Sequence, residues 1–201
     1  MMPEVAGPVR IGADGWADGV CRHPSPNVDA RPEGLPIDLI VLHNISLPPA
    51  RFGTDDVLDF FANTLDCGAH PYFEQLRGVR VSAHFFIRRT GACVQFAPCD
   101  ARAWHAGVSD FFGRTRCNDF SIGIEIEGTD DQPFTPAQYA ATAALVRAIC
   151  AAYPIRAIAG HSDIAPGRKT DPGPCFDWAH LRRLAKLEAA LFPYQAGVAP
   201  A

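Results

Sequence analysis

Three polar residues that could bind a metal ion stand at or after the ends of two short apolar segments. His43 lies near the end of IDLIVLHNI (37–45), His161 follows IRAIAG, and Asp171 comes ten residues after His161. Two imidazoles and a carboxylate are a ligand set of catalytic zinc, in which water takes the fourth tetrahedral position. The long spacing makes the signal weak by itself, because such histidines are also common as hydrogen-bonded, partly buried residues.

The segment GHSDIAPGRKTDPGP (160–174) concentrates reactive side chains in a stiff loop. It carries His161, Lys169 and Asp171, with prolines at 166, 172 and 174. Proline reduces the conformational entropy that a loop loses on folding, so this loop can hold several side chains in one geometry. Glycine before His161 and prolines after it are costly as mere packing, which favours a functional role.

A third segment, FSIGIEIEG (120–128), alternates isoleucine with other residues, as a half-buried strand does. The alternation places Glu125 and Glu127 on one strand face. It does not decide which carboxylate faces a metal site, because both have the same parity. A glutamate on such a strand is ordinarily solvated, as we expect Glu127 to be.

Hydrophobic periodicity and capping residues predict the elements that position these side chains. Strands are predicted for 37–45, for a hairpin within 81–98, for 120–128 and for a run that ends at His161. Helices are predicted for 53–65 with Thr54 as cap, for 134–153 with Thr135 as cap, and after Asp177. This order indicates an α/β fold in which helices flank both faces of a central mixed β-sheet.

The length and composition limit the domain count and the partners. A chain of 201 residues suits one domain, predicted at 37–192, with an irregular N-terminal arm at 1–36 and a flexible tail at 193–201. A net charge of −4 gives no general attraction to nucleic acid or to anionic membranes. The start of the chain lacks the pattern of a signal peptide, and seven scattered cysteines suit a reducing compartment, so we expect a cytoplasmic protein without disulfides.

Six motifs, taken in order, resemble the zinc-dependent N-acetylmuramoyl-L-alanine amidases. They are VLHNISLPP, RVSAHFFIRR, RAWHAGVS, RCNDFSIGIEIEGTD, GHSDIAPGRKTDPGP and FDW, and the resemblance spans roughly residues 16–185. It is strongest to the bacterial cytosolic branch that recycles 1,6-anhydro-muropeptides. The chain is similar, more distantly, to phage T7 lysozyme-type amidases and peptidoglycan recognition proteins, which share the zinc-amidase fold.

The resemblance implies roles for five of the residues introduced above. His43, His161 and Asp171 match the zinc ligands of the family, so the implied cofactor is Zn²⁺. Glu125 and Lys169 match its catalytic residues. As a general base, Glu125 would take a proton from the attacking water, and Lys169 would stabilise the negative charge that develops on the substrate oxygen.

The resemblance also implies substrate contacts. Arg80, Arg116 and the backbone of Ala165 match peptide-side contacts, and guanidinium groups suit a stem peptide that carries carboxylates. Trp104 and His105 could line the sugar side. The competing interpretations are surface arginines and a half-buried core tryptophan, and His84 in SAHFF is expected to be structural.

The implied substrate is an anhydro-muropeptide, cut at the amide between the lactyl group and L-alanine by a monomeric enzyme. Two alternatives remain: a non-catalytic peptidoglycan-binding module on the same fold, and a periplasmic paralogue that cuts intact cell wall. The first should lack a ligand or a catalytic residue, and the second usually carries an export signal. Cys175 is an alternative third ligand, because some relatives use cysteine there.

Overall fold

The computed structural model describes residues 9–196; the ends of the predicted arm and tail, at 1–8 and 197–201, lie outside the described residues. Ten strands occur in this part of the chain: β1 Cys21–Arg22, β2 Val28–Ala30, β3 Leu39–Ile45, β4 Phe85–Ile87, β5 Cys93–Gln95, β6 Ala101–Ala103, β7 Asp110–Phe111, β8 Arg114–Thr115, β9 Ser121–Glu127 and β10 Ala157–Gly160. Six of them form the main sheet, in the order β1-β5-β4-β9-β3-β10.

The centre of the sheet is parallel. β3 pairs in parallel with both β9 and β10, and β4 pairs in parallel with β9. The predicted hairpin is β4 and β5, which are antiparallel. All seven residues of β9 are buried, as is typical of a central strand covered on both faces.

Helices cover both faces of this sheet. They are α1 Asp56–Phe61, α2 Pro136–Ala152, α3 His161–Ile164, α4 Trp178–Ala185 and α5 Pro193–Ala196. α2 packs with Leu181 of α4 against the isoleucines of β9, whereas α1 packs with Phe86 on the other side. The predicted α/β fold with a central mixed sheet flanked by helices is therefore confirmed.

Capping residues fix the start of two helices as predicted. The Thr135 hydroxyl accepts a hydrogen bond from the Gln138 N–H (3.1 Å), and the Gln138 side chain accepts one from the Thr135 N–H (3.0 Å). This reciprocal pair is a capping box, and Pro136 occupies the first helical position. Asp177 likewise caps α4 by accepting from the His180 N–H (2.8 Å).

Two element boundaries differ from the prediction. The helix predicted for 53–65 is only α1, because the Thr54 hydroxyl donates to the Leu47 carbonyl (3.0 Å) instead of capping, and Asn63 has φ 63°. The strand predicted to end at His161 ends at Gly160, and His161 begins α3. The Asp163 carboxylate accepts from the Gly160 N–H (2.8 Å) and starts this helical turn.

The predicted irregular arm contains two of the short strands. β1 adds a parallel edge strand beside β5, and β2 pairs antiparallel with β6. Strands of two or three residues are too short to show an alternating pattern. The described part of the predicted tail contains the short helix α5. None of the helices in residues 9–196 is long and apolar enough to cross a bilayer.

Candidate active site

A cleft of about 640 Å³ opens at the carboxyl ends of β3 and β9. Ligand sites of open α/β sheets commonly lie at this edge. All five residues that the sequence indicated for metal binding and catalysis line the cleft: His43, Glu125, His161, Lys169 and Asp171.

The three candidate metal ligands converge on one point. His43 Nδ1 lies 3.0 Å from His161 Nδ1 and 3.0 Å from Asp171 Oδ2. His161 Nδ1 lies 3.1 Å from the same carboxylate oxygen. The two imidazoles are buried and Asp171 is partly buried, so one atom of each side chain faces a small shared space.

Strand register brings Glu125 to this point. His43 and Glu125 are directly paired residues of β3 and β9, and their Nδ1 and Oε1 atoms are 3.9 Å apart. The second oxygen of Glu125, Oε2, is buried and has no hydrogen-bond partner among the described residues. Glu125 thus places its carboxylate beside the candidate metal ligands, with one of its oxygens unpaired among the described residues.

Hydrogen bonds fix the loop that carries Asp171. The Asp171 carbonyl accepts from the Ser162 N–H (2.9 Å). The Asn44 amide, beside His43 on β3, donates to the Pro172 carbonyl (3.1 Å) and to Asp130 Oδ1 (2.8 Å). Asn44 therefore ties the loop directly to the strand that carries the first ligand.

Gly160 is needed where this loop returns to the end of β10. A Cβ atom at this position would lie 2.8 Å from Cδ of Pro172, closer than two carbon atoms can approach. The loop can therefore approach β10 closely only because residue 160 has no side chain.

Burial sets the charge states around the cleft. Burial and the neighbouring His161 lower the pKa of His43 to about 4, so its imidazole is neutral near pH 7. Burial, reinforced by the charge of Asp171, raises the pKa of Glu125 well above its usual value, and Lys169 partly offsets that increase. A raised pKa makes the Glu125 carboxylate a stronger base, which favours a role as general acid or base.

The three converging groups fit a zinc ion. His161 Nε2 lies 3.1 Å from the Ala106 carbonyl oxygen, which can only accept, and 3.4 Å from Arg168 Nη2, which can only donate. The shorter contact assigns the proton to Nε2 and leaves a lone pair on Nδ1. This lone pair and the Asp171 carboxylate face each other at 3.1 Å, an arrangement that a cation between them stabilises. Nitrogen and oxygen donors of this kind suit zinc.

Of the five predicted substrate residues, His105 lines the cleft, and the other four do not. Arg80 is exposed next to Val79, which lines the cleft. Arg116 is exposed and forms an ion pair with Asp119 (3.1 Å). The Ala165 N–H donates to the His161 carbonyl (2.9 Å).

Trp104 and His105 differ in their surroundings. Trp104 is partly exposed, and its carbonyl accepts from the Ser82 N–H (2.9 Å). His105 lines the cleft but is only 8% exposed, and its Nδ1 lies 3.0 Å from His43 Nε2. His84 is fully buried, and its Nδ1 accepts from the Gly123 N–H (3.0 Å), which agrees with its expected structural role.

The expectation that Glu127 is solvated is wrong. Its side chain is buried, and its carboxylate accepts from the Gly53 N–H (2.6 Å) and the Arg89 N–H (2.8 Å). Glu127 is on the same face of β9 as Glu125 but lies two residues further along the strand. There the loops that contain Gly53 and Arg89 cover it. Sequence alternation predicts on which face of a strand a side chain lies, but not which other segments of the chain pack against that face.

Several polar residues of the site were not identified from the sequence. Asn44 and Asp130 connect the ligand loop to the sheet, and Asn118 and Arg168 contact the segment 105–106. The Asn118 side chain accepts from the N–H groups of that segment, and Arg168 donates to the Ala106 carbonyl (2.9 Å). The motifs VLHNISLPP, RCNDFSIGIEIEGTD and GHSDIAPGRKTDPGP contain all four of them, but their contacts are long-range and leave no local pattern.

Comparison with known proteins agrees with this geometry. The profile of the family described as N-acetylmuramoyl-L-alanine amidase matches residues 33–174. The chain is 54% identical over 176 residues to a protein of Escherichia coli K12 named 1,6-anhydro-N-acetylmuramyl-L-alanine amidase AmpD, covering 87% of this chain and 96% of that one. The chain belongs to the N-acetylmuramoyl-L-alanine amidase family, as its motifs predicted.

Solved structures show the same fold. A crystal structure of a selenomethionine AmpD derivative superimposes with a TM-score of 0.84 at 54% identity, covering 85% of this chain and 97% of that chain. AmiD of E. coli, solved with anhydro-N-acetylmuramic acid-L-Ala-D-γ-Glu-L-Lys, matches with a TM-score of 0.56 at 30% identity, covering 88% of this chain and 65% of that chain.

Proposed function

We propose that this chain is a zinc-dependent hydrolase of anhydro-muropeptides that works in the cytoplasm. It cleaves the amide between the lactyl group of 1,6-anhydro-N-acetylmuramic acid and L-alanine. The observation that carries the proposal is the convergence of His43, His161 and Asp171 beside Glu125 in one cleft. It is supported by the 54% identity to a relative whose name states this activity.

The protein residues have separable roles in this reaction. His43, His161 and Asp171 would hold the zinc, and a bound zinc would polarise the scissile carbonyl and lower the pKa of water. Glu125 accepts the proton of the attacking water and passes a proton to the leaving nitrogen of L-alanine. Hydrolysis breaks the amide C–N bond and leaves a carboxylate on the lactyl group and a free amine on the peptide.

Lys169 supplies positive charge where the carbonyl oxygen becomes negative. It lines the cleft with an exposed side chain, and its position in the stiff loop keeps it near Asp171. A cation placed in advance stabilises a charge that exists only in the transition state. Arg80 and Arg116, which are both exposed, are proposed to attract the carboxylates of the stem peptide.

The experiment is a cleavage assay with a soluble anhydro-muramyl peptide and with cross-linked cell wall, analysed by mass spectrometry. We expect a free stem peptide and anhydro-N-acetylmuramic acid from the soluble substrate, and much slower release from cell wall. Equal rates on both would favour the cell-wall paralogue. Tight binding without any cleavage would favour the non-catalytic module, and Lys169→Ala, which keeps all three ligands, serves as the slow-cleaving reference.

A further inference from the structure

A chain of hydrogen bonds runs from Ser121, the first residue of β9, to His43. The Ser121 hydroxyl lies 2.6 Å from the Cys117 carbonyl oxygen and must donate to it, because a carbonyl oxygen can only accept. Ser121 Oγ is also 3.2 Å from His105 Nε2. Since the only hydroxyl proton is already used, this second contact requires a proton on His105 Nε2.

The same reasoning assigns the next proton. A neutral imidazole has one N–H, so His105 Nδ1 carries a lone pair. His105 Nδ1 lies 3.0 Å from His43 Nε2, which must then carry the proton of His43. The remaining nitrogen, His43 Nδ1, is left with a lone pair that faces His161 and Asp171.

The neighbouring residue of the chain does the same for the second ligand. His161 Nε2 lies 3.1 Å from the carbonyl oxygen of Ala106, the residue that follows His105, and 3.4 Å from Arg168 Nη2. Because the carbonyl contact is the shorter one and a carbonyl oxygen can only accept, it assigns the proton to His161 Nε2. The dipeptide His105–Ala106 thus contacts the outer nitrogens of both histidines, one through a side chain and the other through a carbonyl group.

The dipeptide is itself held firmly. Asn118 Oδ1 accepts from the N–H groups of His105 (3.1 Å) and Ala106 (2.7 Å). Gly123 on β9 makes room for the His105 ring, because a Cβ there would lie 2.5 Å from its Cγ atom. Two separate features of the sequence, the Asn118 amide and the absence of a side chain at Gly123, therefore hold this dipeptide beside the ligands.

We propose that the dipeptide His105–Ala106, oriented by Ser121 and Asn118, sets the tautomers of both histidine ligands so that their Nδ1 atoms face the metal. This inference rests on the zinc site proposed above. His105 is then a positioning residue rather than a sugar contact, since both its ring nitrogens are engaged within the protein. Partners of this kind on the outer nitrogen orient a ligand and increase its basicity.

The test measures the imidazole tautomers by ¹⁵N NMR in metal-free protein and the zinc affinity by competition with a chelator. In the wild type we expect the proton on Nε2 of both His43 and His161. His105→Phe keeps the ring volume but removes the acceptor, so zinc affinity should fall about 10- to 100-fold. His105→Asn retains an oxygen near the position of Nδ1 and should recover most of that loss.

A pair of serine variants separates the tautomer effect from general loosening of the structure. Ser121→Ala removes the acceptor of the His105 proton and should mix the tautomers of His43. Ser109→Ala is the matched control: Ser109 Oγ also contacts this segment, at the Gly107 carbonyl and the Cys117 N–H, but no histidine. The Ser109→Ala protein should have the same histidine tautomers and the same zinc affinity as the wild type.

Three results would overturn the inference. They are a His43 that carries its proton on Nδ1 in the wild type, a His105→Phe protein with wild-type zinc affinity, and a His105→Asn protein that binds zinc as weakly as His105→Phe. If the wild type bound no zinc, the proposed cofactor would be wrong, and the tautomers of the metal-free protein would still decide the inference.

Discussion

The two faces of β9 are equally buried but differ in what they contribute. On one face, Ile122, Ile124 and Ile126 pack against α2 in the largest apolar cluster. On the other face each residue has a separate polar or steric task, in the order Ser121, Gly123, Glu125 and Glu127. A buried carboxylate such as Glu125, with an unpaired oxygen, lowers the free energy of unfolding. Packing of the apolar face offsets this loss.

The largest expected effect is on the polar face at Glu125. Glu125→Gln keeps the shape and the three proposed metal ligands but removes the proposed base, so kcat should fall by about 10²- to 10⁴-fold. Zinc content should not change. Steady-state kinetics with elemental analysis measure both, and a Glu125→Gln enzyme with normal kcat would contradict the assignment.

The same variant should be more stable than the wild type in the metal-free state. The folded-state pKa of Glu125 is raised, so the wild type loses stability as the pH rises from the unfolded-state pKa of 4.5 toward the folded-state pKa. Glutamine does not titrate. Urea unfolding should therefore show no advantage for Glu125→Gln near pH 4 and an increasing advantage toward pH 7.

The apolar face should respond in the opposite way. Ile124→Ala removes buried methyl groups from a fully covered position and should lower the free energy of unfolding by about 2–5 kcal/mol. The kcat per folded molecule should change little. Chemical denaturation and active-site titration check this, with the milder Ile124→Val as control. A large loss of kcat in fully folded Ile124→Ala protein would contradict the claim that this face contributes to stability rather than to catalysis.

A smaller effect is expected at Glu127, on the polar face but outside the cleft. Glu127→Gln keeps the size but weakens two charge-assisted hydrogen bonds to backbone N–H groups, so we expect a loss of about 1–3 kcal/mol in unfolding free energy. Zinc content and the pH profile of kcat should be retained. An enzyme as inactive as Glu125→Gln would show that the catalytic assignment had selected the wrong carboxylate.

The sequence predicted more about the apolar face than about the polar one. Isoleucines two residues apart and the Thr135–Pro136 capping signal are local patterns, so β9 and α2 were predicted almost to the residue. The contacts of Glu127, His105 and Asn118 depend on which loops cover the polar face of β9. Those contacts join residues far apart in the chain, and the motif resemblance, rather than periodicity, distinguished Glu125 from Glu127.

The most direct test of the account is a zinc titration of the metal-free enzyme. Activity on a soluble anhydro-muramyl peptide is measured as zinc is added, for the wild type and for His43→Ala. The account predicts that wild-type activity rises linearly and stops at about one zinc per chain, and that His43→Ala neither retains zinc nor gains activity. Full activity without zinc, or a His43→Ala enzyme that binds zinc and cleaves normally, would contradict it.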